Sequence, residues 1–106
     1  MKKIFDDYKI YRPDKIDFET NLTSDEVFRI VEKFLETYDV AYEITGHIVY
    51  DTKSHITKEP VWCVEVIQVD MKGTGFLDCE DSIAVSDRLA RPVYMTNQAG
   101  RVIEEF

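Results

Sequence analysis

The sequence predicts an α+β fold in which one amphipathic helix packs on a curled antiparallel sheet of about four strands. Apolar residues recur with helical spacing over residues 24–38, and the spacing changes to an alternation of two from residue 40 onward. Most of the later apolar segments are joined by only a few residues. Because short connections cannot cross a sheet, they favour antiparallel neighbours. This layout is of the cystatin-like or nuclear-transport-factor-like kind.

The helix is predicted over residues 24–38. Thr23 and Glu26 have the spacing of a capping box, in which each side chain bonds the backbone N–H of the other residue. The spacing i, i+3, i+4, i+7 then places six apolar side chains on one face: Val27, Ile30, Val31, Phe34, Leu35 and Tyr38.

Four strands are predicted near residues 40–51, 61–70, 82–87 and 91–96. Gly46 lies in the middle of the first and indicates a bulge or bend there. The second is apolar on both faces, which is typical of a central strand. Residues 3–11 fit either a short helix or an edge strand, and Val102-Ile103 form a short apolar end. The predicted core is Val31, Phe34, Leu35, Ile44, Trp62, Val64 and Val66.

Size and charge restrict the classes of function. A chain of 106 residues supports one domain, expected over residues 1–106, with 1–22 as a less regular N-terminal segment. With 13 Lys and Arg against 21 Asp and Glu, the net charge is −8, which argues against nucleic-acid binding. No apolar run approaches the length of a membrane span, and no signal peptide is recognised. A cytoplasmic protein with free thiols at Cys63 and Cys79 is therefore expected.

No residue pattern predicts catalysis, a metal site or a cofactor, and the chain is expected not to be an enzyme. His47 and His55 lack a second histidine at ligand spacing, and no Gly-rich phosphate loop is present. One alternative stays open, which is a small enzyme that uses His47, Asp51 or Glu65 as acid or base in a pocket on the concave sheet face.

The densest carboxylate run predicts a surface that binds a partner. Between residues 70 and 81, Lys72 is the single basic residue beside four acidic ones. A basic protein partner would be steered to such a surface, and an aromatic side chain would anchor it. The expected partner-binding residues are Asp70, Phe76, Asp78, Glu80, Asp81 and Tyr50.

The order of the segments resembles small bacterial immunity-type proteins of polymorphic toxin systems. The resemblance rests on a helix followed by residues 60–66, which include Trp62, and then by residues 83–87 and 92–94. It implies an immunity protein or antitoxin that neutralises a basic toxin domain, commonly a nuclease, by stoichiometric binding. The same layout is similar to a PepSY domain, which implies a regulatory or structural module instead.

Overall fold

The computed structural model describes residues 9–69 and 80–106 and has the predicted α+β architecture. Over these residues, one α-helix packs on an antiparallel sheet of six strands. The elements in chain order are β1 (Ile10–Tyr11), a 3-10 turn (Pro13–Lys15), α1 (Ser24–Leu35), β2 (Tyr42–Asp51), β3 (Val61–Gln68), β4 (Glu80–Ser86), β5 (Arg91–Thr96) and β6 (Val102–Glu105).

The sheet has more strands than the sequence predicted. Its order follows the chain from β1 to β6, and the two strands beyond the predicted four are its edges. In β1, Ile10 pairs with Asp51, so residues 10–11 form an edge strand rather than a short helix. In β6, Glu105 pairs with Tyr94. Segments of two to four residues are too short to show an alternation, and backbone pairing to a neighbour defines them instead.

Helix α1 begins as predicted and ends three residues early. The Thr23 hydroxyl accepts a hydrogen bond from the Glu26 N–H at 3.2 Å, and the Glu26 carboxylate accepts from the Thr23 N–H at 2.8 Å. This confirms the capping box. At the other end, the Tyr38 N–H donates to the Leu35 carbonyl at 3.3 Å. Such i→i−3 bonds tighten the chain beyond Leu35.

A bulge interrupts the pairing of β2 with β3 at the predicted glycine. Ile44 lies opposite Val66 and Ile48 opposite Val64, so residues 45–47 together face Glu65. Gly46 has a φ of +104°, a conformation that side-chain-bearing residues rarely adopt. Because the bulge adds an even number of residues, Ile44 and Ile48 still point to the same face of the sheet.

The core lies between α1 and the concave face of the sheet. Val31, Trp62, Val64 and Val66 are buried as predicted, whereas Phe34, Leu35 and Ile44 are half-buried. The half-buried residues lie toward the C-terminal end of α1 and the start of β2. β3 is flanked by β2 and β4, which confirms its central position.

The opposite face of the sheet carries a smaller apolar cluster of Val61, Ala84 and Tyr94. The connection between β2 and β3 is joined to this cluster, because the Ser54 hydroxyl lies 2.6 Å from the Tyr94 hydroxyl and is fully buried. Within residues 9–69 and 80–106, no helix has the length and apolar character that a membrane crossing requires.

Candidate functional site: an acidic surface with aromatic residues

Three of the six predicted partner-binding residues are placed by the structure. Glu80 and Asp81 begin β4, and Tyr50 lies near the end of β2. Asp70, Phe76 and Asp78 lie outside the described residues. The site is therefore built here from Glu80, Asp81 and the groups that surround them.

Tyr50 is a core residue with 5% of its surface exposed. Its ring lies 4.8 Å from that of Trp62 in an edge-on arrangement. Burial raises the pKa of the Tyr50 hydroxyl to about 12, and the neighbouring carboxylate of Asp87 adds to the effect. A side chain enclosed in this way stabilises the fold and offers little surface to a partner.

Asp81 is 7% exposed and is held by a tyrosine of another strand. The Tyr42 hydroxyl donates a hydrogen bond to its Oδ2 atom at 2.5 Å, which joins the beginning of β2 to the beginning of β4. Glu80, beside it, is half-buried and accepts a weaker bond from the Gln98 side chain at 3.4 Å. Asp81 thus orients Tyr42, while Glu80 remains accessible.

Four aromatic rings meet near Asp81, at the C-terminal end of α1. The Phe34 ring lies 4.7 Å from that of Phe106 and 5.3 Å from that of Tyr38. Tyr38 in turn lies 6.0 Å from Tyr42, and its hydroxyl donates to the Glu104 carboxylate on β6. Since β2 and β6 are four strands apart, their meeting at Tyr38 requires the sheet to curve around the helix.

This end of the molecule is negatively charged. The pKa of the Tyr38 hydroxyl is raised above its usual range, first by burial, then by Glu104, and further by Asp39. Burial raises the pKa of Tyr42 to about 12, and Asp81 and Glu104 contribute. The carbonyl end of the α1 dipole adds partial negative charge nearby. Phenols surrounded by carboxylates resist ionisation because a second negative charge is repelled.

Two surface depressions lie at this end of the sheet, one beside α1 and one on the opposite face of the sheet. One has a volume of about 350 Å³ and is lined by Glu32, Leu35, Tyr42, Glu43 and Ile44. The other, of about 210 Å³, includes Glu65, Glu80 and Asp81 in its lining. We name the whole region the acidic end and define it by the carboxylates Glu32, Asp39, Glu43, Glu65, Glu80, Asp81 and Glu104.

His47, Asp51 and Glu65, the acid–base residues considered from the sequence, share the outer face of the sheet. The concave face carries α1, so the pocket expected there is filled. Glu65 accepts a hydrogen bond from the Thr45 hydroxyl at 2.7 Å, across the bulge. Asp51 is buried and accepts from the Lys53 N–H at 3.0 Å, an arrangement typical of a turn.

Cys63 lies between these groups on the same outer face. Burial raises the pKa of its thiol to about 12, and the negative charge of Asp51 adds to the shift. A thiol with this pKa is protonated at neutral pH and is a poor nucleophile. Among the residues that the structure describes, no group of three or more His, Cys, Asp or Glu side chains is arranged to hold a metal ion.

Sequence reasoning missed Tyr38, Tyr42, Glu104 and Phe106 as parts of a surface site. Tyr38 ends the helical pattern and Tyr42 follows Val40 in the strand pattern, so both were assigned to apolar faces. Two tyrosines on either side of a change of period, with carboxylates at residues 36, 39 and 43, were the available signal. Glu104 and Phe106 carry no local signal, since only the sheet curvature brings them to Tyr38.

Comparison with known protein families, with characterised proteins and with solved structures yields no match for this chain.

Proposed function

We propose that this protein is an immunity protein or antitoxin that neutralises a basic toxin domain, such as a nuclease, by stoichiometric binding at the acidic end. The observation that carries the proposal is the position of Asp39, Asp81 and Glu104 around the half-buried rings of Tyr38 and Tyr42. Tyrosine and phenylalanine supply large contact areas at binding interfaces. Carboxylates around them select a basic partner and accelerate its association.

A nuclease fits this surface because its substrate is a polyanion. Enzymes that bind nucleic acid present Lys and Arg along the path of the phosphate backbone. A surface that carries Glu80, Glu104 and Asp39 competes for the same cationic groups. An inhibitor of this kind needs no catalytic residue of its own and acts by covering the active site.

The predicted acidic segment contributes its last two residues to this surface. Glu80 is available to a partner, whereas Asp81 acts mainly through Tyr42, from whose hydroxyl it accepts a hydrogen bond. Tyr50 is not part of the proposed interface because it is buried in the core against Trp62, near Asp87. Half-buried Tyr42 and Tyr38 take the role of aromatic anchors instead.

The proposal is tested with the coding sequences that neighbour this gene. Each is expressed alone and together with this chain in a sensitive host, and growth is measured. We expect one product to be toxic alone and harmless in the presence of this chain. The purified toxin should then lose activity in proportion to added inhibitor, reaching zero near an equimolar ratio.

Two results would contradict the proposal. The first is that no neighbouring product is toxic or binds this chain. The second is that protection persists when the toxin is in large molar excess, because catalytic turnover rather than occupancy would then be responsible.

A further inference from the structure

One side of β2 lacks a neighbouring strand over most of its length. β3 pairs along one side of β2, whereas on the other side β1 pairs with Tyr50 and Asp51 alone. Within residues 9–69 and 80–106, no strand continues the sheet beside residues 42–44. We call the backbone of these three residues the open edge of β2.

The hydrogen-bond pattern shows which backbone groups point outward at the open edge. The Val69 N–H donates to the Ala41 carbonyl at 2.9 Å, so Ala41 bonds toward the chain of β3. Because the backbone groups of successive strand residues point in opposite directions, Tyr42 and Ile44 direct their N–H and C=O groups away from β3. A row of outward groups of this kind is a template for another strand.

The surface depression of about 350 Å³ lies along the open edge. It is lined by three consecutive residues of β2, Tyr42, Glu43 and Ile44, and by Glu32 and Leu35 of α1. Strand alternation places the Tyr42 and Ile44 side chains on the helix side of the sheet and that of Glu43 on the other. A depression that touches all three therefore reaches the edge itself and has room for the side chain of an added strand.

The charge near the open edge selects a basic occupant. Glu36, Asp39 and Glu43 are exposed, and the sequence has no Lys or Arg between residues 34 and 50. The C-terminal end of α1 adds partial negative charge. A second copy that paired through its own β2 would bring like charges together, which is unfavourable, whereas a strand with Lys or Arg side chains would place opposite charges there.

We propose that an extended segment of the basic partner pairs with the open edge of β2 as an added antiparallel strand, a proposal that rests on the proposed function and specifies its contact. Residues directly opposite each other in such a pair share a face of the sheet. Partner residues opposite Tyr42 and Ile44 bond to their backbone groups and are apolar, because their side chains meet Leu35 and the depression. The alternate partner residues are basic, because they lie on the face of Glu43.

The test uses the full chain labelled for nuclear magnetic resonance and four capped heptapeptides. The first has the sequence Lys-Val-Lys-Val-Lys-Val-Lys. The second is N-methylated at its three valines, the third is N-methylated at three of its lysines, and the fourth has glutamate in place of every lysine. We expect the first to shift the amide signals of Tyr42 and Ile44 in a saturable manner and to slow their hydrogen exchange.

The modified peptides distinguish strand addition from simple attraction of charge. Methylation of the valines should weaken binding by about tenfold or more, because it removes the N–H groups that bond to Tyr42 and Ile44. Methylation of the lysines, whose N–H groups point away from β2, should change the affinity by less than about threefold. The glutamate peptide should bind more weakly than the first by about tenfold or more.

Two variants at one position locate the contact on the protein. Ile44→Pro removes an outward N–H and leaves the bonds between β2 and β3, and proline is tolerated at such edge positions. Ile44→Val keeps the N–H and serves as control. We expect the first variant to bind the lysine–valine peptide about tenfold more weakly and the second to change binding by less than about threefold. Unchanged signals from Trp62 show that each variant is folded, and the peptide series decides the inference if Ile44→Pro is not.

Several outcomes overturn the inference. Absence of binding, equal binding of the two N-methylated peptides, unchanged hydrogen exchange at Tyr42 and Ile44, or equal binding of the glutamate peptide would each reject a basic added strand. Protection of the same two amides that rises with the concentration of this chain alone would assign the edge to a second copy.

The toxin assay separates this inference from the proposed function. Neutralisation that is unaffected by folded Ile44→Pro removes the edge contact alone. Strand addition by the lysine–valine peptide in the absence of any toxic neighbouring product removes the proposed function and, with it, the toxin as the source of the strand.

Discussion

At the scale of single residues, Asp87 is a buried carboxylate on which several hydrogen bonds converge. It is 7% exposed, and its carboxylate accepts from the Asn21 N–H at 3.0 Å, the Leu22 N–H at 2.9 Å and the Trp62 indole N–H at 2.9 Å. These bonds hold residues 21 and 22, which precede α1, against the sheet. A buried carboxylate is tolerated here because donors surround it.

Asp87→Asn is expected to lower the free energy of unfolding by about 2–4 kcal/mol, because an amide nitrogen would replace an oxygen that now faces an N–H donor. Urea denaturation followed by Trp62 fluorescence measures the change. Asp14→Asn, at an exposed position, serves as control and should stay within about 0.5 kcal/mol of the parent protein. Equal stabilities of the two variants would contradict the role assigned to Asp87.

The Tyr42 hydroxyl makes the stability of the protein sensitive to alkaline pH. Its pKa is raised from an ordinary value of 10.0 to about 12, chiefly by burial and then by Asp81. Because the folded state favours the neutral phenol, the resulting stabilisation is complete below pH 10 and is lost as pH rises toward 12. The sign is therefore a loss of stability on the alkaline side.

Tyr42→Phe is expected to make the decline of unfolding free energy between pH 10 and 12 shallower than in the parent protein. Denaturation at a series of pH values measures the two slopes. At neutral pH the same variant should be less stable by about 1–3 kcal/mol, since Asp81 loses a hydrogen-bond donor while buried. Identical alkaline slopes would show that Tyr42 does not carry this dependence.

At the scale of elements, the bulge in β2 divides the strand into two parts that have different neighbours. Residues 42–44 line the surface depression of about 350 Å³ beside α1. Residues 48–51 pair with the central strand β3, and residues 50–51 also pair with β1. The bulge at residues 45–47 bends the strand between these two parts without reversing its faces. Gly46 makes this possible through its positive φ of +104°.

Gly46→Ala is expected to destabilise the protein by about 1–2 kcal/mol through backbone strain alone. The added methyl group would meet no atom within 4 Å, so no steric clash contributes. Thermal or urea unfolding measures the loss, and Gly46→Asn should lose less because Asn tolerates positive φ better. An unchanged stability of Gly46→Ala would mean that the bulge adopts another conformation.

At the scale of the whole molecule, charge is distributed so that one end carries the proposed interface. The acidic end gathers carboxylates from α1, β2, β3, β4 and β6, together with Asp39 from the segment between α1 and β2. Net charge by itself affects solubility and encounter rates but not specificity. The position of the carboxylates next to aromatic rings is what makes this end a candidate for recognition.

Asp39→Asn combined with Glu80→Gln is expected to slow association with the proposed toxin partner by about threefold to tenfold at low salt, with little effect on dissociation. Stopped-flow measurements at two salt concentrations should show the difference fading as salt rises, because screening shortens the range of the field. The control Asp14→Asn with Asp17→Asn has the same net charge. If both variants associate equally fast, the total charge rather than the acidic end governs encounter.

The sequence by itself determined the elements whose patterns are local. The capping box starts α1 at Ser24 because Thr23 and Glu26 bond within one turn, and the alternation beyond residue 40 defines β2 and its bulge. The interior of β3 follows from its apolar character on both faces. Each of these signals lies within about ten residues, where side-chain spacing alone selects the structure.

Only the tertiary structure decided the edges of the sheet and the composition of the acidic end. β1 and β6 are too short to have a pattern, and their pairing partners lie elsewhere in the chain. Tyr38 meets Glu104 and Tyr42 meets Asp81 across 66 and 39 residues of sequence. These contacts exist because the sheet curves around α1, and that curvature is a property of all the strands together.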